Sequence, residues 1–464
     1  MSEKPIFHFE ISERKIFLRL FDTFFVLLAL SIVGIIFHFS YFRIDSQYWV
    51  WTVVLVVFFN FFATVFELYD LQKSSKFDSV FQNVILTTSL TVLFYILTPY
   101  ITPSLPENRL QILFFFLSIA GILLLWRYAY IDLITSPRFY KRVLVVGDSF
   151  DIKLIADTLR NSDPNYSVIG YINTENEFEA GLEDEGLIRF KVEELSSVVG
   201  EYHINEVIVA HAHKRNLMIT LYNQLNELLM RGFPIRDYFH VYEETTRRIP
   251  VDKVDKDFYR YFPFSRNNAN QFYRLSSRIF DVLAGIVGIC FGLLILPFIL
   301  LGNLFANRGK LFYSQERIGK YGKTFKILKF RTMLRDAEMS GPQYAQKDDL
   351  RITPFGKFLR RSRIDEIPQF INVLKGEMSM IGPRPERPVF VKELSQAIPF
   401  YETRHVIKPG LTGWAQVMAN YGTSHTDSLE KLQYDLYYIK HRGLFLDIDI
   451  LLKTFSTIIF YRGQ

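Results

Sequence analysis

Cysteine is nearly absent from this chain. One thiol, Cys290, stands among 464 residues, inside an apolar run. A disulfide framework and a thiolate metal site are therefore both excluded. The nine histidines are scattered without metal-ligand spacing. His211 and His213, alternating beside the apolar "VIVA", read as a strand end rather than as ligands. The chain begins polar and charged, with no short apolar region and cleavage site, so no signal peptide is expected. Glycine is missing where a dinucleotide fingerprint needs it. After Gly147 come Asp148, Ser149, Phe150 and Asp151, and an acid stands where a phosphate would lie. Charge is absent from residues 282–301, a stretch of twenty with Pro297 near its end.

What is present is apolar bulk and basic charge. Hydrophobic residues make up 49% of the chain, with 45 phenylalanines, and the net charge is +6. That is rich for a soluble enzyme. The basic residues flank apolar segments, which points to anionic lipid, anionic substrate or both. The length suggests about three domains. Apolar runs at 17–39, 50–68, 80–101 and 110–133 each approach the ~20 residues that cross a bilayer core. Asn60, Gln82 and Asn83 would then face neighbouring helices rather than lipid. Lys4, Arg14, Lys15, Lys73, Lys76, Arg138, Lys141 and Arg142 gather in three of the flanking segments, against Arg43 and Arg109 in the other two. That asymmetry places both ends of the bundle in the cytoplasm.

From Lys141 the pattern changes. "RVLVVG", "YSVIGYI", "INEVIVAH" and "FPIRDY" read as strands, with helical stretches after the first and at 217–230. Strands alternating with helices imply a small Rossmann-like parallel sheet, here expected to hold no cofactor. "ENEFEAGLEDEG" reads as solvated surface, and "RRIPVDKVDKDFYRYF" as a charged linker back to the membrane. The run 282–301 is long enough to span. Its flanks are basic on both sides, with Arg274 and Arg278 before and Arg308 and Lys310 after. Both ends should therefore stay cytoplasmic. Pro297 would break the helix, giving a re-entrant course rather than a fifth span. Asp281 would stay at the interface beside Arg278.

The last third is dense in Arg and Lys. In "FKILKFRTM" alternation sends Lys329 and Arg331 to one face of a strand. In "FLRRSRIDEIPQFINVLKG" (358–376) an acidic pair, Asp365 and Glu366, follows Arg360, Arg361 and Arg363. Ser362 and Asp365 have capping-box spacing, Pro368 suits a first helical turn, and Gly376 would end the helix after Lys375. Its apolar face is Ile367, Phe370, Ile371 and Leu374. Two acids could merely complement a helix dipole. That leaves the crowded arginines unexplained, and also the proline-stiffened "GPRPERP" and "HVIKPGLTGWAQV", which fix Arg384 and Arg387 and are framed by Arg404 and Lys408. A carboxylate pair among held cations suits phosphoryl chemistry, one acid attacking phosphorus and the other holding a hard divalent metal such as Mg2+.

From about Arg274 onward the chain resembles the bacterial sugar transferases, the monotopic phosphoglycosyltransferases. "FYSQERIGKYGKTFKILKFRTM", "LRRSRIDEIPQFINVLKGEMSMIGPRPE" and "KPGLTGWAQV" carry the resemblance. The whole layout is similar to the long-form enzymes that begin exopolysaccharide synthesis on undecaprenyl phosphate. The resemblance implies Asp365 as nucleophile, taking a sugar-1-phosphate from a UDP-sugar with release of UMP. It implies Glu366 as the Mg2+ ligand, and Lys329, Arg331, Arg360, Arg384 and Arg404 around the phosphates, with Asp435 near a motif acid. The family's Ser-Pro kink is Leu296-Pro297 here. Glucose is the first expected sugar, then galactose or an N-acetylhexosamine. Asp447 and Asp449, an acid-x-acid pair in an amphipathic helix, read as surface acids.

The expected architecture is a membrane α-helical bundle plus α/β. Four transmembrane helices occupy 1–136, a Rossmann-like parallel-sheet domain 137–265, and a re-entrant membrane helix with an α/β catalytic domain 266–464. The implied location is the cytoplasmic membrane, multi-pass, with the catalytic domain on its cytoplasmic face. The implied partners are a UDP-sugar, undecaprenyl phosphate and membrane lipids, with no nucleic acid. Self-association is left open. Two rivals remain at this point, a non-catalytic membrane scaffold and a glycosyltransferase that releases UDP instead of UMP.

Overall fold

The computed structural model describes residues 11–459 apart from 40, 42–43, 45–47, 75–76, 135–140, 148, 163–165, 174–185, 211–218, 252–269, 308, 335–348 and 420–423. Asp148, His211, His213, the acidic surface stretch and most of the charged linker fall outside the described residues. The chain divides into two compact units, Met1–Thr246 and Arg247–Gln464.

The first unit opens with helices α1 (Ile11–Ile36), α2 (Trp49–Val65), α3 (Phe77–Leu97) and α4 (Leu110–Ile134). Within α1, α3 and α4, segments of 24, 21 and 23 residues are long and apolar enough to cross a membrane. α2 has 17 residues. At 1.5 Å per residue that is ~26 Å, somewhat short of the ~30 Å hydrocarbon core. Leu20, Leu113 and Leu125 are exposed on the outer surface, as lipid-facing positions should be. Polar groups turn inward. Asn60 donates to Thr23 Oγ1 at 3.1 Å, as expected of it, whereas Gln82 is exposed. An unexpected ion pair fills the interior: Arg127 Nε donates to Asp22 Oδ1 at 3.1 Å, and both side chains are wholly buried. A charge in such a setting persists only when paired.

The sheet follows as β1 (Lys141–Gly147), β2 (Tyr166–Asn173), β3 (Ile188–Phe190), β4 (Glu206–Ala210) and β5 (Ile235–Asp237). All neighbours are parallel, in the order β3-β2-β1-β4-β5. This doubly wound order matches the Rossmann-like expectation. Val143, Val145 and Ile208 form one buried face and Leu144, Val146 and Val207 the other, because side chains alternate along a strand. A Cβ on Gly147 would stand 2.5 Å from the Ala210 carbonyl oxygen. Strand packing therefore requires that glycine, whatever lies beyond it.

The second unit is built on one long helix, α5 (Gln271–Gly302), capped by Asn270, whose side chain accepts from the Phe272 and Tyr273 N–H groups. Residues 271–306 are also long and apolar enough to cross a membrane. The helix runs through Pro297 without ending. Around it lie an antiparallel hairpin, β6 (Phe312–Ile318) and β7 (Thr324–Phe330), then helices α6 (Pro354–Arg361) and α7 (Gln369–Lys375). The short parallel pair β8 (Ser379–Ile381) and β9 (Gly410–Thr412) and the helices α8 (His425–His441) and α9 (Leu444–Ile459) come after them. Trp414, Leu432, Ile439 and Ile450 centre its largest core.

One stripe of α5 consists of small residues. Cβ atoms on Gly285, Gly288 and Gly292 would meet Leu374, Phe370 and Ile367 at 2.5 to 2.7 Å. The apolar face read for residues 367–374 thus seats on a glycine groove. Farther along, Ile299 clusters with Phe330 and Leu359, and Gly302 lies under Phe355. At the near end, Arg278 donates to the Val373 and Leu374 carbonyls, both at 2.7 Å, neutralising the negative end of α7. Asp281 does not pair with Arg278 as expected. Its Oδ1 accepts from Ser379 Oγ at 2.9 Å and the Met380 N–H at 2.8 Å.

Candidate active site

The acidic pair occupies a single 3-10 turn, Ile364–Glu366, between α6 and α7. No capping box forms there. Ser362 closes α6 instead and turns its hydroxyl back to the Phe358 carbonyl at 2.9 Å. Arg363 then takes a left-handed backbone, φ 58°, which a non-glycine residue adopts only where its surroundings hold it. That reversal delivers Asp365 and Glu366 inward. Pro368 precedes α7, and Gly376 ends it with φ 83°, as its position after Lys375 suggested.

Both acids are buried, at 6% and 8% exposure, yet their surroundings differ. Glu366 Oε1 accepts from Lys329 Nζ at 2.9 Å and from an Arg384 NH2 group at 3.0 Å. Its Oε2 accepts from Arg363 at 3.2 Å. Burial pushes the Glu366 carboxyl up, and Lys329, Arg384 and Arg363 together outweigh it, holding the group well below the usual range. Asp365 receives no hydrogen bond from a described residue. Burial raises its carboxyl to about 6, Lys329 and Arg360 pulling it down and Glu366 pushing it up. One acid is thus ionised and engaged by three cations, its Oε2 accepting from only one of them. The other is ionised at neutral pH with its oxygens uncommitted.

Cations reach the pair from a strand, a helix end and a loop. Lys329 projects from β7 and is driven below its usual range chiefly by burial. Arg360 lies in the last turn of α6 and is steadied by a hydrogen bond from its Nε to Thr332 Oγ1 at 2.9 Å. Arg384 stands in the proline-stiffened loop after β8. That loop is bonded to β9, Gly382 N–H donating to the Thr412 carbonyl and Gly410 N–H to the Pro383 carbonyl, both at 2.9 Å. Arg331, expected on the same face as Lys329, packs its guanidinium against Gly309.

Arg404 and Asp435 do not reach the acidic pair through their own charged groups. Arg404 donates to Asp435 Oδ2 at 2.6 Å, to Tyr401 Oη at 2.6 Å and to the Arg384 carbonyl at 3.1 Å. Both are buried, and burial raises the Asp435 carboxyl to about 6 against the pull of Arg404. Together they hold the backbone that carries Arg384. Sequence reading also missed Thr332 and the bond from Arg363 to Glu366. A signal existed for the second, since Arg363 and Glu366 stand three apart. Asp447 and Asp449 serve different partners. Asp447 accepts from Tyr273 and Tyr438 at 2.6 and 2.8 Å, and Asp449 from Arg247 at 3.1 Å. Asp447 is thus no simple surface acid.

No cluster of three or more His, Cys, Asp or Glu side chains able to hold a metal occurs among the described residues. Mg2+ fits the site nonetheless. It is commonly bound by one or two carboxylates with substrate phosphates and water, and the pair provides hard oxygen donors of that kind.

Residues 272–461 match the family described as bacterial sugar transferase, and residues 64–230 match a CoA-binding domain family. A UDP-N-acetylgalactosamine-undecaprenyl-phosphate N-acetylgalactosaminephosphotransferase of Aeromonas hydrophila is 39% identical over 49% of this chain and 52% of its own length. A putative undecaprenyl-phosphate N-acetylgalactosaminyl 1-phosphate transferase of Bacillus subtilis (strain 168) is 46% identical over 28% of this chain and 74% of its own. A UDP-glucose:undecaprenyl-phosphate glucose-1-phosphate transferase of Xanthomonas campestris pv. campestris is 44% identical over 34% and 33%. The match thus spans about half the length of the first of these relatives and a third of the last.

Proposed function

Since the chain belongs to the bacterial sugar transferases, we propose that it moves a hexose-1-phosphate from a UDP-linked sugar to undecaprenyl phosphate by way of Asp365. The difference between the two acids carries this reading. An Asp365 oxygen attacks the sugar-bearing phosphorus, and the bond from that phosphorus to the bridging oxygen breaks, releasing UMP. A phosphate oxygen of the lipid then attacks the same phosphorus, the bond to Asp365 breaks, and a lipid diphosphate sugar leaves. The carboxylate needs no general base to attack, and two successive displacements give ping-pong kinetics.

Lys329 and Arg384 lie against Glu366 and within electrostatic reach of Asp365, where they can neutralise phosphate oxygens as the nucleophile approaches. Arg360 also pulls on the Asp365 carboxyl. Glu366 is the residue that would hold Mg2+, which when bound neutralises the diphosphate. Arg404 and Asp435 position Arg384. The donor panel starts with UDP-glucose, the family-weighted expectation, and UDP-N-acetylgalactosamine, the sugar in the names of the Aeromonas and Bacillus relatives. Labelled donor tests the reaction class: label in the phosphate should reach the lipid with UMP as co-product, and UDP as product would exclude it.

α5 is read as re-entrant at the cytoplasmic face. One unit grips it from Arg278 to Gly302, a length of ~36 Å at 1.5 Å per residue. A helix crossing a bilayer would present much of that length to hydrocarbon, where the polar chain wrapped around it could not follow. Cysteine labelling that places residue 464 outside the cell would overturn this course.

A further inference from the structure

A second cationic site lies apart from the acidic pair. Arg274 and Arg278 on the first turns of α5, Lys320 at the β6–β7 tip, Lys408 ahead of β9 and Arg442 after α8 line one cleft of about 670 Å3. Burial lowers the Lys408 ammonium below its usual range, and Arg278, Lys320 and Arg274 push it the same way against the pull of Asp281. The acid in the lining is Asp281, whose Oδ1 is already engaged by Ser379 and Met380, and Asp447 is engaged by the lining Tyr273 and Tyr438. Arg278 spends its guanidinium on two carbonyls. Lys408 and Arg274 have no side-chain hydrogen bond or ion pair among the described residues. Like charges gathered around so little counter-charge form a site for an anion.

The cleft is not the reacting site. Gly376 faces it, with Lys408 Nζ 3.5 Å and an Arg278 nitrogen 3.7 Å from where a Cβ would stand. Gly376 ends α7, whereas Asp365 precedes α7. The seven residues of that helix alone separate them by ~10 Å. The surroundings of the cleft are apolar on one side. Leu275 lines it, and Phe272 and Ile279 are exposed on the same membrane-length helix. Tyr321, exposed and held at φ 59° beneath Lys320, adds an aromatic ring of the kind that sits at headgroup level. An anion that meets cations at its head and an apolar helix along its tail is a lipid phosphate.

We propose that this cleft holds the headgroup phosphate of an anionic membrane phospholipid, seating the first turns of α5 at the membrane surface. The proposal stands independently of the sugar transferred. The test uses the full chain, purified in mild detergent, stripped of lipid and titrated with phosphatidylglycerol, phosphatidylcholine, undecaprenyl phosphate or inorganic phosphate under native mass spectrometry. Wild type should retain one phosphatidylglycerol at least tenfold better than phosphatidylcholine. Arg274→Gln with Lys408→Gln should abolish that preference, as should Lys320→Gln with Lys408→Gln, which leaves α5 untouched. Glu366→Gln, at the other end of α7, should keep it. Equal retention by wild type and both double variants would overturn the proposal, as would its loss in Glu366→Gln. Selective retention of undecaprenyl phosphate, or equally good competition by inorganic phosphate, would assign the cleft to a different anion and also defeat it.

Discussion

Replacing Asp365 with Asn separates its chemical role from a structural one. Its carboxyl stands at about 6 against an ordinary 3.8, mainly because it is buried. That is about two units, each worth ~1.4 kcal/mol, so ionised Asp365 costs the folded protein about 3 kcal/mol. An acid raised by folding binds its proton more tightly in the native state. Stability therefore falls as pH rises from about 4 to about 6 and stays lowered above that. Asn has nearly the same shape and no titration. Asp365→Asn should gain about 3 kcal/mol at pH 8 and close to nothing below pH 4. Turnover should meanwhile drop at least ~10³-fold, as loss of a nucleophile does elsewhere. An acid that merely complemented a helix dipole would behave in the opposite sense, its neutralisation weakening the fold. Thermal unfolding of the full chain in detergent at pH 4 and pH 8, beside UMP release from labelled donor, reads both quantities. A variant that is less stable at pH 8, or that turns over like wild type, would refute the reasoning.

The remaining predictions concern the support of that carboxylate. Glu366→Gln should raise the Mg2+ concentration needed for half-maximal activity by at least tenfold; an unchanged requirement would contradict the ligand assignment. Gly288→Val would push side-chain atoms into Phe370, which already lies 2.5 Å from an ideal Cβ. Overpacking of that kind costs about 1–3 kcal/mol, so the unfolding temperature should fall, and an unaltered one would show that α5 and α7 are not tightly seated. Asp435→Asn leaves the buried Arg404 without the carboxylate that fixes its guanidinium. Activity should fall, because Arg404 would no longer anchor the Arg384 backbone. Full activity would remove the pair from the account.

Local chemistry made part of this site legible in the sequence. Gly376 after Lys375 marked the end of α7 because glycine alone enters the left-handed region cheaply. The apolar face of residues 367–374 followed from its periodicity, but its partner did not. Gly285, Gly288 and Gly292 form a groove inside a run whose large side chains point elsewhere, so apolarity alone hides it. The acidic pair and its surrounding cations were legible as a cluster. Which acid would gather the cations was not, since Lys329, Arg384 and Arg363 converge on Glu366 only through a hairpin, a loop and a strained turn. The capping box at Ser362 failed for that last reason: once Arg363 turns left-handed, the hydroxyl has only the helix behind it. Asp22 and Arg127 lie 105 positions apart in separate apolar runs, and nothing local to either foretells the other.

The most direct measurement is the intact mass of the full chain incubated with UDP-sugar and without lipid acceptor. The expected result is an increment of one sugar phosphate, localised to Asp365, released on adding undecaprenyl phosphate and absent from Asp365→Asn. A wild-type mass that never changes while the complete system forms product would contradict a covalent route.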